Sequence, residues 1–239
     1  MRKRTSGILI GFLAIVGLLG SGKRADAALI AAICNDLGCS GGDDLMVQDN
    51  AAGDMLSALG GLSFSTSAFG FTLAVNTSQS KPMLGSATVP QLDLTFSATT
   101  ADSGTHSIFL YASDTGFTGS QSQLLAIGGT NSGDSGTVTG RAWGGTSNTA
   151  LQFSGANLLS NTGSFAGPAY AGTTTNSLVP TTDPYSLTIG VALTRTTAGT
   201  STGDLNFAST PSSNTVPEPS SLLLGALGMA GVGFRRRRS

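Results

Sequence analysis

Residues 185–194 read Tyr-Ser-Leu-Thr-Ile-Gly-Val-Ala-Leu-Thr, and this stretch decides the fold class. Apolar side chains occupy every second position from Tyr185 to Leu193, and small or hydroxylated residues fill the positions between them. Successive side chains of a β-strand point to opposite faces of its sheet. The alternation therefore predicts a strand with one face in an apolar core and the other towards solvent.

The same period of two recurs along the middle of the chain. Residues 69–76 and 92–96 alternate in this way, whereas residues 108–111 are apolar on both faces and predict a central strand. Shorter candidate strands cover 62–66, 124–127, 137–143, 151–153 and 205–207, and clusters of Gly, Asn, Asp and Ser separate them. We expect about nine strands in an all-β fold, an antiparallel two-sheet sandwich of jelly-roll type. Residues 51–59 offer a weak helical alternative, and residues 157–183 predict a long polar loop.

The charge of this middle region is strongly one-sided. Residues 28–216 hold eleven Asp and no Glu, against three cations, Lys81, Arg141 and Arg195. Asp and Gly favour turns, whereas the scarce Glu, Lys and Arg favour helix surfaces, so the composition also points to a β-rich domain. We do not expect this protein to bind nucleic acid, because such binding requires a basic face that neutralises phosphates.

The N-terminus is typical of a secretory signal peptide. A basic start at residues 2–4 precedes an apolar run over residues 8–19 and an Ala25-Asp26-Ala27 site. With Ala27 at position −1 and Ala25 at −3, we expect a signal peptide over residues 1–27 and a mature N-terminus at Ala28. Signal peptidase and the export machinery are the implied partners. A permanent anchor is the alternative, but the apolar run is shorter than the ~20 residues that a span needs.

The C-terminus combines three elements in a fixed order. A Pro217-Glu218-Pro219 segment precedes an apolar run over residues 222–234. A cluster of four arginines follows: Arg235, Arg236, Arg237 and Arg238. Thirteen helical residues span only ~20 Å of a ~30 Å hydrocarbon core. The arginines hold the extreme C-terminus in the cytoplasm, so the pattern predicts a short-lived membrane anchor.

This order closely resembles the PEP-CTERM sorting signal of Gram-negative bacteria over residues 216–239. The resemblance implies that an exosortase-type membrane enzyme processes the tail. It also implies that the protein is held only transiently in the inner membrane before it reaches the cell surface or the extracellular space. Proteins with this signal come mostly from cells that make extracellular polysaccharide, so exopolysaccharide is an implied partner. An ordinary membrane helix would explain the arginines but not the Pro-Glu-Pro segment.

The two ends define the domain organisation. We expect an extracellular β-sandwich domain over residues 28–208, a Ser-, Thr- and Pro-rich linker over 209–215, and the sorting signal over 216–239. Residues 33–44, 81–87 and 113–117 also resemble segments of uncharacterised PEP-CTERM exoproteins. That resemblance implies a shared extracellular β domain and assigns no binding or catalytic residue.

Cys34 and Cys39 are the chain's two cysteines, and an exported protein meets an oxidising environment. Metal binding by two cysteines would need further soft ligands in a chain with one His, so we expect a structural disulfide. Asp36, Asp43 and Asp44 form an oxygen-rich group nearby, with ligands of the type that calcium prefers. Their spacing does not match an EF-hand, and turn-forming, solvated acids are the alternative, so these three are weak calcium candidates. We expect no other metal and no cofactor.

Catalytic residues are not expected. A Ser-His-Asp set could be drawn from Asp102, His106 and Ser107, but residues this close in sequence seldom reach the required geometry, and no Gly-x-Ser-x-Gly elbow precedes a predicted helix. An Asp pair remains conceivable, with Asp93 as one member. A secreted hydrolase would require His106 or such a pair in an open pocket with shifted pKa values.

The leading functional hypothesis is a non-enzymatic surface or matrix protein with a structural or adhesive role. A carbohydrate-binding module is the alternative. A groove lined by Tyr111, Trp143 or Tyr170 would favour it, and a closed core that holds all three rings would argue against it. Threonines at 137, 139 and 173–175 suggest ice binding as a further alternative. It is weaker, because that activity needs a regular array of threonines and these are scattered along the chain.

Overall fold

The computed structural model describes residues 29–119, 122–132, 136–176 and 182–210. The described part of the chain forms twelve β-strands and one 3₁₀ turn at Gly155–Asn157. The strands are β1 (Ile30–Cys34), β2 (Leu45–Gln48), β3 (Gly61–Ala68), β4 (Phe71–Gln79), β5 (Gln91–Thr100), β6 (His106–Phe117), β7 (Ser122–Asn131), β8 (Gly136–Gly145), β9 (Leu158–Phe165), β10 (Ala169–Asn176), β11 (Tyr185–Arg195) and β12 (Gly199–Thr210).

The strands form two six-stranded sheets that pack as a sandwich. The first sheet has the order β2-β1-β6-β11-β8-β9, and the second has the order β10-β7-β12-β5-β4-β3. Every strand pair is antiparallel. The all-β two-sheet sandwich predicted from the alternation is therefore confirmed. From β5 onwards most connections cross from one sheet to the other, so neighbours within a sheet come from distant parts of the chain.

The core lies between the inner faces of the two sheets. It contains the alternating apolar residues that the sequence pattern singled out, including Leu73, Leu94, Ile189, Val191 and Leu205, each at most 1% exposed. Burying side chains of this kind contributes about 1.5–3 kcal/mol each to folding. One apolar cluster accounts for most of this interior.

Strand β11 lies at the centre of the first sheet between β6 and β8. Its outward residues Ser186 and Thr188 are buried as fully as its inward ones, which the alternation alone does not predict. The segment between β8 and β9 covers this part of the outer face, where the Leu151 N–H donates to the Ser113 hydroxyl at 3.0 Å. Gly190 is needed here, because a Cβ atom would overlap the ring of Tyr111.

Several sequence-based boundaries were wrong. Residues 157–183 are not one long loop, since they contain β9 and β10 at the edges of the two sheets. Edge strands carry little apolar pattern, and these two are rich in Ser, Thr and Gly, so the period of two is faint. Residues 151–153 form no strand and residues 51–59 form turns. The short strands β1 and β2 were not predicted, and β12 runs to Thr210, into the predicted linker.

Candidate functional site

The predicted targeting residues fall outside the described residues. These are the cleavage residues Ala25 and Ala27 and the sorting residues Pro217, Glu218, Pro219, Arg235, Arg236, Arg237 and Arg238. The predicted signal helix and sorting helix lie there too. Within the described ranges, no helix has the length and apolar character needed to cross a bilayer.

The predicted disulfide between Cys34 and Cys39 is present and closes a short loop at the end of β1. Asp36 lies inside the loop and organises it, since its carboxylate accepts hydrogen bonds from the Gly38 N–H at 2.7 Å and from the Ser40 hydroxyl at 2.9 Å. These bonds, those from Ser40 first, hold the pKa of Asp36 below its ordinary value. The disulfide and the Asp36 carboxylate therefore both fix the conformation of this loop.

Reduction of this disulfide is expected to lower stability only modestly. The two cysteines are five positions apart in the sequence, and the chain-entropy relation gives roughly 2 kcal/mol for so short a loop. Thiol labelling of unreduced protein should detect neither sulfur, and the Cys34→Ala/Cys39→Ala variant should unfold at a slightly lower urea concentration. Labelling of native protein at either position would contradict this prediction.

The three calcium candidates do not meet in one cluster. Among the residues that the structure describes, Cys34, Cys39 and Asp44 form one group of potential metal ligands. Their ligand atoms lie within 4.8 Å of one another. Disulfide sulfurs lack the thiolate that binds metals. Asp36 uses its oxygens within its own loop, and Asp43 is exposed. Both carboxylate oxygens of Asp44 are shielded from solvent and accept no hydrogen bond. Calcium binding stays a prediction that this geometry does not support.

The residues of the conceivable triad are only partly assembled. His106 Nε2 lies 2.6 Å from Asp102 Oδ1, and this contact lowers the pKa of Asp102. Ser107 is the next residue of the same strand, so its side chain points to the opposite face of the sheet. Its hydroxyl instead lies 3.0 Å from the hydroxyl of Thr194. His106 and Ser107 therefore do not form a nucleophile and base pair.

An Asp pair does exist on the outer face of the second sheet. Asp93 of β5 and Asp204 of β12 are hydrogen-bonded to each other, and the Thr95 hydroxyl lies within 3.4 Å of both carboxyl groups. Asn206 donates to the other oxygen of Asp204 at 2.7 Å. Burial, and then the bond to Asp204 and its charge, raise the pKa of Asp93 to about 7. The Asp93 carboxyl group therefore keeps its proton up to near-neutral pH.

This pair predicts a loss of stability as the pH rises. The pKa of Asp93 in the folded protein, about 7, lies above the value of about 3.9 for an unfolded chain, so the folded state binds more protons between these limits. The free energy of unfolding should therefore fall as pH rises from about 4 through about 7. The Asp93→Asn variant should lose this dependence and exceed the wild type in melting temperature at pH 8.

Melting curves between pH 4 and pH 8 check this prediction. Asp43→Asn, a change at an exposed loop acid, is the matched control and should keep the wild-type profile. A wild-type melting temperature that stays level or rises across the window, after subtraction of the control, would show that the pKa of Asp93 is not raised in the folded protein.

The three aromatic rings proposed for glycan stacking are buried. Tyr111, Trp143 and Tyr170 are 1%, 3% and 6% exposed. Tyr170 belongs to the main core, where its hydroxyl donates to the Thr202 carbonyl at 2.8 Å. Tyr111 and Trp143 form a second cluster on the outer face of the first sheet, and Phe153 of the β8–β9 segment packs on both rings. None of the three rings lines an open groove.

The outer face of the second sheet carries many hydroxyl groups beside the Asp93–Asp204 pair, Asn206 and the exposed side chain of Leu124. Threonines pair across its strands: Thr99 with Thr200, and Thr130 with Thr202, each with hydroxyl oxygens 2.9 Å apart. The neighbouring outward positions are also small or hydroxylated: Ser65, Ser67, Thr72, Ala74, Thr95, Ser97 and Gly128. Six strands spaced ~4.8 Å apart make this face about 24 Å wide. We call it the hydroxyl face.

The hydroxyl face is also free of positive charge in the described part of the chain. Lys81 and Arg195 are buried, and Arg141 belongs to β8 of the first sheet. The sequence showed scattered threonines, and only the register of β5, β7 and β12 brings four of them into hydrogen-bonded pairs. Of the threonines first suggested for ice binding, Thr137 and Thr139 lie on β8 of the first sheet. Thr173 and Thr175 of β10 lie on the hydroxyl face, opposite Ala126 and Leu124 of β7.

Sequence reasoning missed one buried ion pair. Lys81 follows β4 and Asp114 lies in β6, and their charged atoms are 2.8 Å apart with side chains 4% and 0% exposed. The only sequence signal was that Lys81 is one of three cations in an acidic domain. Pairing across 33 positions depends on how the two sheets pack, which no local pattern encodes.

Comparison with known protein families identifies the tail. A family model for the PEP-CTERM protein-sorting motif matches residues 215–238. The chain carries a PEP-CTERM sorting motif. The resemblance noted in residues 216–239 is therefore confirmed. PEP-CTERM proteins are exported and sorted to the cell surface, and the motif implies processing by an exosortase.

Comparison with solved structures gives likenesses at low similarity. The enzymatically active domain of tailspike protein 4 of bacteriophage CBA120 aligns with a TM-score of 0.35 and 9% identity, over 59% of this chain and 19% of that one. A carbohydrate-binding module of the β-sandwich superfamily aligns with a TM-score of 0.33 and 12% identity, over 68% of this chain and 65% of that one. The mannan-binding module TmCBM27 aligns with a TM-score of 0.31 and 11% identity, over 63% and 89%.

The β-sandwich of this chain is similar to these carbohydrate-binding modules in fold class alone. This chain spans less than a fifth of the length of the tailspike chain and just under two thirds of the length of the first carbohydrate-binding module. No curated protein matches the sequence.

Proposed function

We propose that this PEP-CTERM protein is a non-enzymatic component of the cell surface or extracellular matrix, with a structural or adhesive role in association with exopolysaccharide. The hydroxyl face is the observation that carries the proposal. Paired threonines such as Thr99 with Thr200 present hydroxyls that both donate and accept hydrogen bonds, as sugar hydroxyls do. The sorting motif supports the proposal, because PEP-CTERM proteins are sorted to the cell surface, where exopolysaccharide is found.

The mode of binding follows from the weakness of each contact. A single intermolecular hydrogen bond contributes only about 0.5–1.5 kcal/mol net of the water it displaces. A face about 24 Å wide can contact several sugar units and several chains at once, and many weak contacts together give useful adhesion. This arrangement suits a protein that holds a polymer network together more than one that captures a single soluble sugar.

A non-enzymatic role is supported by the state of the conceivable catalytic groups. Ser107 is bonded to Thr194 on the face opposite His106, and the Asp93–Asp204 pair lies on the outer sheet face among side-chain partners. A secreted hydrolase remains the less favoured alternative. It would predict that conversion of Asp204 to Asn abolishes release of reducing sugars from the polymer.

A glycan site with ring stacking is the second candidate. Phe109 is half-buried on the outer face of the first sheet and lies parallel to Tyr111, with ring centroids 6.4 Å apart. Arg141 of β8 belongs to the same face, opposite Gly190 in the register. An aromatic ring and a guanidinium on one face are the groups that bind a single sugar chain.

Binding of the released protein to purified exopolysaccharide from the producing cells tests the proposal. The Thr99→Val/Thr200→Val/Thr130→Val/Thr202→Val variant removes four hydroxyls with little change of shape, and we expect at least about tenfold weaker binding in co-sedimentation. Ser107→Ala/Thr194→Val removes a matched hydroxyl pair from the first sheet and should bind like the wild type.

The two candidate surfaces give opposite results. Loss of binding in Phe109→Ser or Arg141→Gln, with full binding in the threonine variant, would favour the ring-stacking site. Absence of wild-type binding to the polymer would refute the association itself.

A further inference from the structure

Lys81 and Asp114 make an unusually dry contact between the two sheets. The Lys81 ammonium lies 2.8 Å from Asp114 Oδ2, and both side chains are almost completely buried. The ammonium also donates to the Thr115 carbonyl and lies 4.4 Å from the centre of the Phe117 ring. The face of the Phe117 ring attracts the Lys81 ammonium, but it is not a carboxylate that could react with the amine. The amine of Lys81 therefore has a fixed position against one carboxyl group.

The carboxyl group of Asp114 is held from two sides. Ser80 donates its hydroxyl to Oδ2 at 2.7 Å, and the Thr115 N–H donates to Oδ1 at 2.7 Å. Donors aimed at both oxygens withdraw electron density from the carboxyl carbon. They also stabilise negative charge that develops on oxygen when a nucleophile attacks that carbon. The arrangement places a nucleophile, an electrophilic carbon and hydrogen-bond donors in one site.

We propose that Lys81 and Asp114 condense to an intramolecular amide, which cross-links the segment after β4 to β6. The ammonium first gives a proton to the carboxylate, which leaves a neutral amine and a neutral acid. The nitrogen lone pair then forms a bond to Cγ of Asp114. The tetrahedral intermediate loses its hydroxyl together with a nitrogen proton as water, and an amide remains. No oxidant, reductant or further reactant is consumed.

The folded protein supplies what this reaction lacks in water. Amide formation between a free amine and a free acid is slow, because the groups are charged, solvated and rarely in contact. Groups fixed in contact react as if at an effective concentration on the order of 10⁵–10⁸ M.

The bond would have a clear mechanical effect. Lys81 follows a strand of the second sheet and Asp114 belongs to the first, so the amide ties the two sheets to each other. The disulfide Cys34–Cys39 spans only a local loop and cannot do this. A covalent tie between sheets suits a protein that carries load in a matrix.

Mass spectrometry of the folded, secreted protein tests the proposal. After reduction, the tryptic fragment that ends at Arg141 contains both residues, and we expect it to be lighter than its sequence by one water. Chymotryptic cleavage between the two residues should leave the Lys81 and Asp114 peptides joined. Lys81→Arg keeps the charge but cannot form this amide, and its fragment should have the full mass.

Two results would overturn the cross-link. The first is a wild-type fragment of full sequence mass from protein that is folded by circular dichroism. The second is loss of water without joined peptides, which would indicate dehydration within a single peptide. Because the wild type alone decides, the test holds even if Lys81→Arg folds poorly.

Discussion

Replacement of Pro217, Glu218 and Pro219 by alanine is expected to stop release of the protein and to leave uncut precursor in the inner membrane. The apolar run and the arginines, which insert and orient the tail, are unchanged in this variant. The Pro-Glu-Pro segment is the part that an ordinary membrane helix does not need. Because the segment lies within the matched sorting motif, its loss should remove recognition by the exosortase.

Fractionation of the cells followed by mass analysis of the tail measures this effect. We expect released protein to fall by more than about tenfold while total insertion stays constant. Deletion of Arg235 to Arg238 from the wild-type chain is the control. It should weaken retention of the protein in the membrane. If the alanine variant reached the medium with wild-type mass and yield, the Pro-Glu-Pro segment would not be the recognition element.

The Asp114→Ala substitution is expected to cause the largest loss of stability among single changes in the β domain. It leaves the Lys81 ammonium buried without its carboxylate, and it removes the acceptor of the Ser80 hydroxyl and the Thr115 N–H. Removal of one partner from a buried ion pair costs about 3–5 kcal/mol, since the remaining charge stays desolvated. That is a large fraction of the 5–15 kcal/mol that stabilises a typical domain.

Urea unfolding at constant pH provides the measurement. Asp43→Ala, which removes an exposed acid from the loop before β2, is the matched control and should change the free energy of unfolding by no more than about 0.5 kcal/mol. An Asp114→Ala value within about 1 kcal/mol of the wild type would mean that Lys81 reaches water when its partner is removed.

The sequence predicted the features that rest on local pattern. Alternation from Tyr185 to Leu193 gave the strand and its inward face, because a strand repeats every two residues whatever its neighbours are. The same pattern failed at β9 and β10, since edge strands face solvent on more sides and need few apolar residues. The disulfide was predictable because the chain has two cysteines and they are close together.

The candidate surfaces were much less predictable. The hydroxyl face and the Asp93–Asp204 pair depend on β12 lying between β5 and β7 in one particular register. A shift by one residue would send every one of these side chains to the other face. The sequence left open whether Tyr111 and Trp143 line a groove or lie in a closed core. The β8–β9 segment covers both rings, and its path is set by hydrogen bonds such as that from Leu151 to Ser113.

By itself the sequence determined the sorting signal, the all-β class and the disulfide, because each depends on residues that are close together in the chain. Only the tertiary structure decided which strands are adjacent, which polar rows meet on the hydroxyl face, and that Lys81 meets Asp114 in a dry contact between the sheets. The physical reason is that alternation specifies the side of a strand on which a residue lies. Sheet packing and register, which arise from contacts between distant segments, specify what that residue touches.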